Sequence, residues 1–175
     1  GAPVVLTSAL REGSLRAEAA ERGTPILLYE AGEGLRFDEM AVRAGVAGIL
    51  RTLRAQDMLP AKGIAKARTP SLICRASTWL RAPVGGLLRT FRAEGEIVEE
   101  GDVLAAISDP AGDVETELLA PRAGILIGRA VLPVVNEGDA VFYLAELSPK
   151  ANEDTVDALT AQLEVDPLFD EDEII

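Results

Sequence analysis

Apolar positions recur along this chain with two different periods, and the change falls near residue 70. From Phe37 to Asp57, Val42, Val46, Ile49, Leu50 and Leu53 fall at i, i+4, i+7, i+8 and i+11. That spacing is one stripe of a long helix, which Pro60 ends. Upstream, Ser14–Arg22 predicts a shorter helix, capped by Ser14 and closed by Gly23. Val4–Leu6 predicts a short strand. Pro25–Glu30 is a continuous apolar run that ends on an acid, the pattern of a strand buried on both faces. Residues 1–59 therefore read as α/β. Two or three strands and two helices are too few for a sheet of that class, so the segment reads as the end of a larger unit.

Residues 60–71, PAKGIAKARTPS, form a polar linker punctuated by Gly and Pro. From 72 to 148 short apolar runs alternate with Gly, Pro and Asp, the all-β pattern. This region repeats internally. Ala82-Pro83 opens APVGGLLRTF and leads to EEGDVLAAI from Glu99; Ala120-Pro121 opens APRAGILIGR and leads to NEGDAVFYL from Asn136. The offset is 38 residues at the Ala-Pro pairs and 37 at the Glu-Gly-Asp turns. Gly101 and Gly138 suit the positive φ of a tight turn. Two such copies related by a pseudo-twofold predict a small flattened barrel. The acidic tail, 149–175, carries one predicted helix, Asn152–Leu163, and then a loose stretch, Asp166–Glu173.

Composition sharpens this reading. At 48% hydrophobic residues the chain can bury a core, and with only 4% aromatics it must build that core from small aliphatics. The net charge of −12 is concentrated: residues 151–175 hold nine acids and no base, which leaves −3 for the remainder. Neither part offers the basic face that nucleic acid requires. No apolar run approaches the length of a membrane span. One cysteine, Cys74, excludes an intrachain disulfide, so a reducing cytoplasmic setting is expected.

The same composition excludes most chemistry. The repeat resembles biotinyl/lipoyl-type domains, which present a lysine on the hairpin between their halves. Here that hairpin, Ser108–Glu117, has none; the lysines are Lys62, Lys66 and Lys150, so no carrier function is expected. With no histidine, the chain holds neither a zinc pattern nor a serine hydrolase triad. Cys74 reads as a core residue. Glu30 remains, with two readings. It is either a structural carboxylate near the start of the following helix, or a general base at the carboxyl end of an α/β strand, where open sheets place their ligand sites.

The stretch GAPVVLTSALREGSLRAEAAERGTPILLYEAGEGLRFDEMAV, followed by STWLRAPVGGLL and NEGDAV, resembles the succinylglutamate desuccinylase/aspartoacylase family over nearly all of residues 1–147. The resemblance implies an α+β architecture. Residues 1–59 would be the C-terminal part of a zinc-carboxypeptidase-like α/β domain, and 72–148 an all-β duplicated barrel-sandwich domain. It implies a zinc-dependent deacylase that hydrolyses the amide of a small N-acyl amino acid or related compound. Tyr29-Glu30-Ala31-Gly32 matches the setting of the family's catalytic glutamate, so Glu30 inherits the role of general base to a water held by zinc. The family's zinc ligands, an H-x-x-E motif and a later His, lie upstream in its order and are absent here. This chain alone is therefore expected to be inactive.

Two further residues are candidates for substrate binding. Val135-Asn136-Glu137 resembles a V-N-E segment near the substrate channel of aspartoacylases, although Glu137 is also the counterpart of Glu100 in the repeat and so reads as a turn residue. Arg36, six residues past Glu30, suits a bidentate pair with a substrate carboxylate or a solvated loop. The alternative to the deacylase is a non-catalytic binding or assembly module on an unmodified lipoyl-like barrel. A native polypeptide with roughly 150 or more residues upstream, including H-x-x-E, decides for the enzyme. The acyl group and the amine stay open, as does a homo-oligomeric state.

Overall fold

In a computed structural model, residues 1–60, 62–64 and 70–147 are described; the expected tail helix and acidic stretch lie outside them. In chain order the elements are β1 (Val4–Leu6), α1 (Leu15–Glu21), α2 (Glu39–Ala55), β2 (Leu72–Cys74), β3 (Ser77–Arg81), β4 (Gly86–Thr90), β5 (Ile97–Val98), β6 (Val103–Ser108), β7 (Glu115–Leu119), β8 (Gly124–Arg129), β9 (Val134–Val135) and β10 (Ala140–Ala145). They divide into two units. One holds Gly1–Pro3 and Ser8–Ser71, the other Val4–Thr7 and the strands from Leu72 onward.

In the first unit both helices start on a capping side chain, Ser14 as expected for α1 and Asp38, within the span expected for the long helix, for α2. Ser14 Oγ accepts the Ala17 N–H at 3.2 Å, and Asp38 Oδ1 accepts the Ala41 N–H at 3.0 Å. Gly23, at φ +67°, closes α1 by donating its N–H to the Ala20 carbonyl. Ala47 and Leu50 are the buried residues of α2, while Val42, Val46 and Ile49 of the expected stripe stay exposed. The expected strand at Pro25–Glu30 does not form. A strand exists only if a neighbour supplies N–H and C=O groups, and no described segment does so here. Leu27 and Leu28 consequently stand 85% and 65% exposed, although their sequence pattern is that of a strand covered on both faces.

β1 was expected beside the helices but pairs in parallel with β2, Val4 opposite Leu72 and Leu6 opposite Cys74. A three-residue apolar strand must satisfy its backbone somewhere, and Leu72-Ile73-Cys74 is the partner this chain provides.

The remaining strands form two four-stranded antiparallel sheets, ordered β3-β10-β8-β5 and β7-β6-β4-β9. The repeat offset maps β3, β4, β5 and β6 onto β7, β8, β9 and β10, which turns the first order into the second. Each sheet thus takes two strands from each copy. One core joins them: Leu104, Ile107, Leu126, Val141, Phe142 and Leu144 are all essentially fully buried. Alternate residues of β8 and β10 point the other way, so that Ile125 and Ala145 pack with Cys74 and with Val4, Leu6 and Leu72.

The turns repeat as closely as the strands. Gly101 and Gly138 sit at φ +91° and +86°. Asp102 Oδ2 accepts the Glu99 N–H at 3.1 Å, and Asp139 Oδ2 accepts the Asn136 N–H at 2.8 Å. Gly101 donates its N–H to the Ala120 carbonyl and Gly138 to the Ala82 carbonyl, so each turn is tied to the Ala-Pro corner of the other copy. Two glycines mark the closest approaches. A Cβ at Gly86 would overlap the Ser108 carbonyl oxygen, and at Gly124 it would lie 2.5 Å from the Ala145 carbonyl oxygen. Gly86 and Gly124 are repeat counterparts, as are Ser108 and Ala145.

Gly124→Ala is therefore expected to cost about 1–3 kcal/mol, the usual penalty of forcing atoms into a packed site. A lower denaturant midpoint, followed through the fluorescence of Trp79, is the readout. Gly128→Ala on the same strand meets only Tyr143 Cβ, at 3.5 Å, and is expected to change stability by less than about 0.5 kcal/mol.

Candidate functional site

Glu30 follows the apolar run and precedes α2. It is exposed, and among the described residues it makes no hydrogen bond or ion pair. Its segment is irregular but anchored on one side. There the Tyr29 hydroxyl donates to the Ala41 carbonyl at 2.7 Å, and the Tyr29 ring lies against Gly45, where a Cβ would come within 2.9 Å of Cε1. On the other side, Gly32 adopts φ +72°, and a Cβ there would stand 3.5 Å from Asp38 Cβ and 3.6 Å from Ala41 Cβ. Tyr29 thus holds the segment against the first two turns of α2.

The electrostatics follow from this placement. Partial burial, and then the nearby Asp38 carboxylate, raise the Tyr29 phenol above its ordinary range, so its hydroxyl remains a donor. Asp38 is also the cap of α2, and one carboxylate both starts the helix and biases the tyrosine.

The other candidates are placed less suggestively. Arg36 forms an ion pair with Glu33, three residues before it, and its side chain is largely exposed. Such a pair is worth little, and it leaves the guanidinium on the surface beside its own loop. Glu137 is exposed within the Glu-Gly-Asp turn, in the same position as Glu100. Arg36 and Glu137 fall in different units. Cys74 is fully buried and free, and burial raises its thiol, so it is a core atom rather than a nucleophile. The hairpin between the two copies is closed by Asp109 Oδ1 accepting the Val114 N–H at 3.1 Å.

Sequence reasoning passed over Tyr29 and Gly45. Their signals were a tyrosine in a chain with only two, and a glycine in a helix interior, where it costs about 1 kcal/mol relative to alanine. It also passed over Glu33 Oε2 and Arg43 Nε, both buried without a partner; nothing in the sequence pattern marks them.

Among the described residues no group of three or more His, Cys, Asp or Glu is placed to hold a metal ion. The zinc implied by the family resemblance therefore finds no set of ligands in these residues.

Asp38→Ala is expected to cost about 0.5–2 kcal/mol through the lost cap, seen as reduced helicity and a lower unfolding midpoint. Asp38→Asn keeps a capping oxygen and is expected to fold as the parent does. In both variants the Tyr29 phenol moves part of the way down toward its ordinary value, because the charge that adds to the effect of burial is gone. Ultraviolet difference titration measures this.

No protein-family model and no curated protein matches the chain. Solved structures do. A succinylglutamate desuccinylase from Silicibacter sp. TM1040 is 24% identical, with a TM-score of 0.71, over 84% of this chain and 46% of its own. The product-bound ectoine utilization protein EutE (DoeB) from Ruegeria pomeroyi is 21% identical, with a TM-score of 0.72, over 82% of this chain and 45% of its own. A succinylglutamate desuccinylase/aspartoacylase from Rhodobacter sphaeroides is 27% identical, with a TM-score of 0.56, over 66% of this chain and 38% of its own. The chain spans less than half the length of each. The resemblance read from the residues thus extends to three dimensions, and in fold the chain matches succinylglutamate desuccinylase/aspartoacylase family proteins over just under half their length.

Proposed function

We propose that these residues form the C-terminal part of a zinc-dependent deacylase that hydrolyses the amide bond of a small N-acyl amino acid or a related compound, with Glu30 as its general base. The observation that carries this is an unpaired carboxylate held against the start of α2 after an apolar run, in a chain whose fold matches desuccinylase structures. The exposed apolar side chains at Leu27, Leu28 and Ile49 support the view that further strands of the same polypeptide complete this unit. The Glu30 carboxylate takes the proton of the attacking water and returns it to the departing nitrogen. A zinc ion, which residues outside these would hold, would supply Lewis acidity when bound. The duplicated β unit, whose strand order fits a lipoyl-like barrel-sandwich without an attachment lysine, is then scaffold rather than carrier.

A second reading starts from the duplicated β unit, two sheets closed on one core with no lysine on the hairpin between its copies. It makes the chain a binding or assembly module without catalysis.

The readings separate in the intact native polypeptide. The deacylase reading expects bound zinc and turnover of at least one member of a panel of N-acyl amino acids. Glu30→Gln is expected to lower kcat by at least ~10²-fold with zinc content unchanged. Wild-type turnover in that variant, or no zinc and no turnover in the parent, leaves the module reading.

A further inference from the structure

A general base is only as good as its placement, and Glu30 lies on a segment that no strand pairing fixes. We propose that Tyr29 is a positioning residue for Glu30: a latch that fastens the segment to α2 through its hydroxyl on the Ala41 carbonyl and its ring in the notch left by Gly45. The proposal rests on the reading of Glu30 as base.

Three features make this more than ordinary packing. The bond is not needed to satisfy an orphaned group. Ala41 lies within α2, where its carbonyl has a helical partner four residues on, so the tyrosine takes the second lone pair of an acceptor already in use. Gly45 is that fourth residue, and it lacks the side chain that would displace the ring. A helix-interior glycine is unfavourable by itself, and the ring explains its presence. Finally, the anchor is adjacent to the working group. Tyr29 and Glu30 share a peptide bond, so the hydroxyl and ring act one residue from the carboxylate. The backbone of Glu30 is held from its N-terminal side, and Gly32 at φ +72° turns the chain two residues later. The raised phenol keeps the latch protonated wherever a carboxylate base is active.

The test uses the intact, metal-loaded polypeptide and two variants that act on the latch from opposite sides. Tyr29→Phe removes only the hydroxyl, and Gly45→Ala displaces the ring. Each is expected to lower kcat roughly tenfold while KM stays near the parent value, as for a misplaced catalytic group. Placed on Glu30→Gln, neither is expected to lower turnover further, because a residue that acts through Glu30 has nothing left to position. Amide hydrogen exchange at Tyr29–Gly32 is expected to accelerate in both variants, with the β6 and β10 amides unchanged. A parent-like kcat in Tyr29→Phe, an equal loss on the Glu30→Gln background, or unaltered exchange overturns the latch. If Glu30→Gln itself keeps full turnover, the base reading falls instead, and the exchange result still decides whether the latch exists.

Discussion

Neither copy of the repeat can satisfy its own backbone. β3 and β5 of the first copy find their partners in β10 and β8 of the second, and β7 and β9 of the second find theirs in β6 and β4 of the first. An isolated copy would expose strand edges on every side and would split the Phe142–Leu104–Leu126 core between two incomplete halves. This obligate exchange explains why the sequence repeats the features that it does. The Glu-Gly-Asp turns recur because each is tied to the other copy's Ala-Pro corner. Gly86 and Gly124 recur because at those points the chains approach too closely for a Cβ. Around Phe142, the one buried aromatic among the described residues, interlocked small aliphatics can reach the packing density of an interior.

The helical unit obeys the opposite logic. Its side chains follow the patterns of a covered layer, yet Leu27, Leu28, Phe37 and Ile49 are exposed. Strands with a continuous apolar run are those covered on both faces within a sheet, and Pro25–Glu30 pairs with no described segment. What holds the segment at Glu30 is therefore the Tyr29 side chain on α2 rather than a hydrogen-bonded ladder. That arrangement leaves a carboxylate accessible and unpaired, the condition for a proton acceptor.

Local chemistry was legible in the sequence wherever a residue acts within a few positions of itself. The cap Ser14, the helix stop at Gly23, the glycines of the two turns and the 37–38-residue repeat all depend on short-range geometry, and all appear in the structure. Long-range pairing was not legible. A buried-strand pattern at Pro25–Glu30 records what the residues are suited to, not whether a partner is present, and β1 could not announce that its partner lay at Leu72. The site divides the same way. Glu30 stood out because a carboxylate ends an apolar run. Tyr29's role depends on a contact with α2 sixteen residues away at Gly45, which no pattern in the strand or the helix alone reveals. Arg36 had a nearer partner in Glu33 than any substrate.

The most direct measurement is an experimental structure of the intact native polypeptide, with its metal and an unreactive N-acyl amino acid analogue. The account requires the Glu30 carboxyl to line the cleft that holds both, within reach of one intervening water from the analogue's carbonyl, and Tyr29 to remain on Ala41. A Glu30 carboxyl in bulk solvent or in a structural ion pair, with the metal and analogue bound elsewhere, contradicts it.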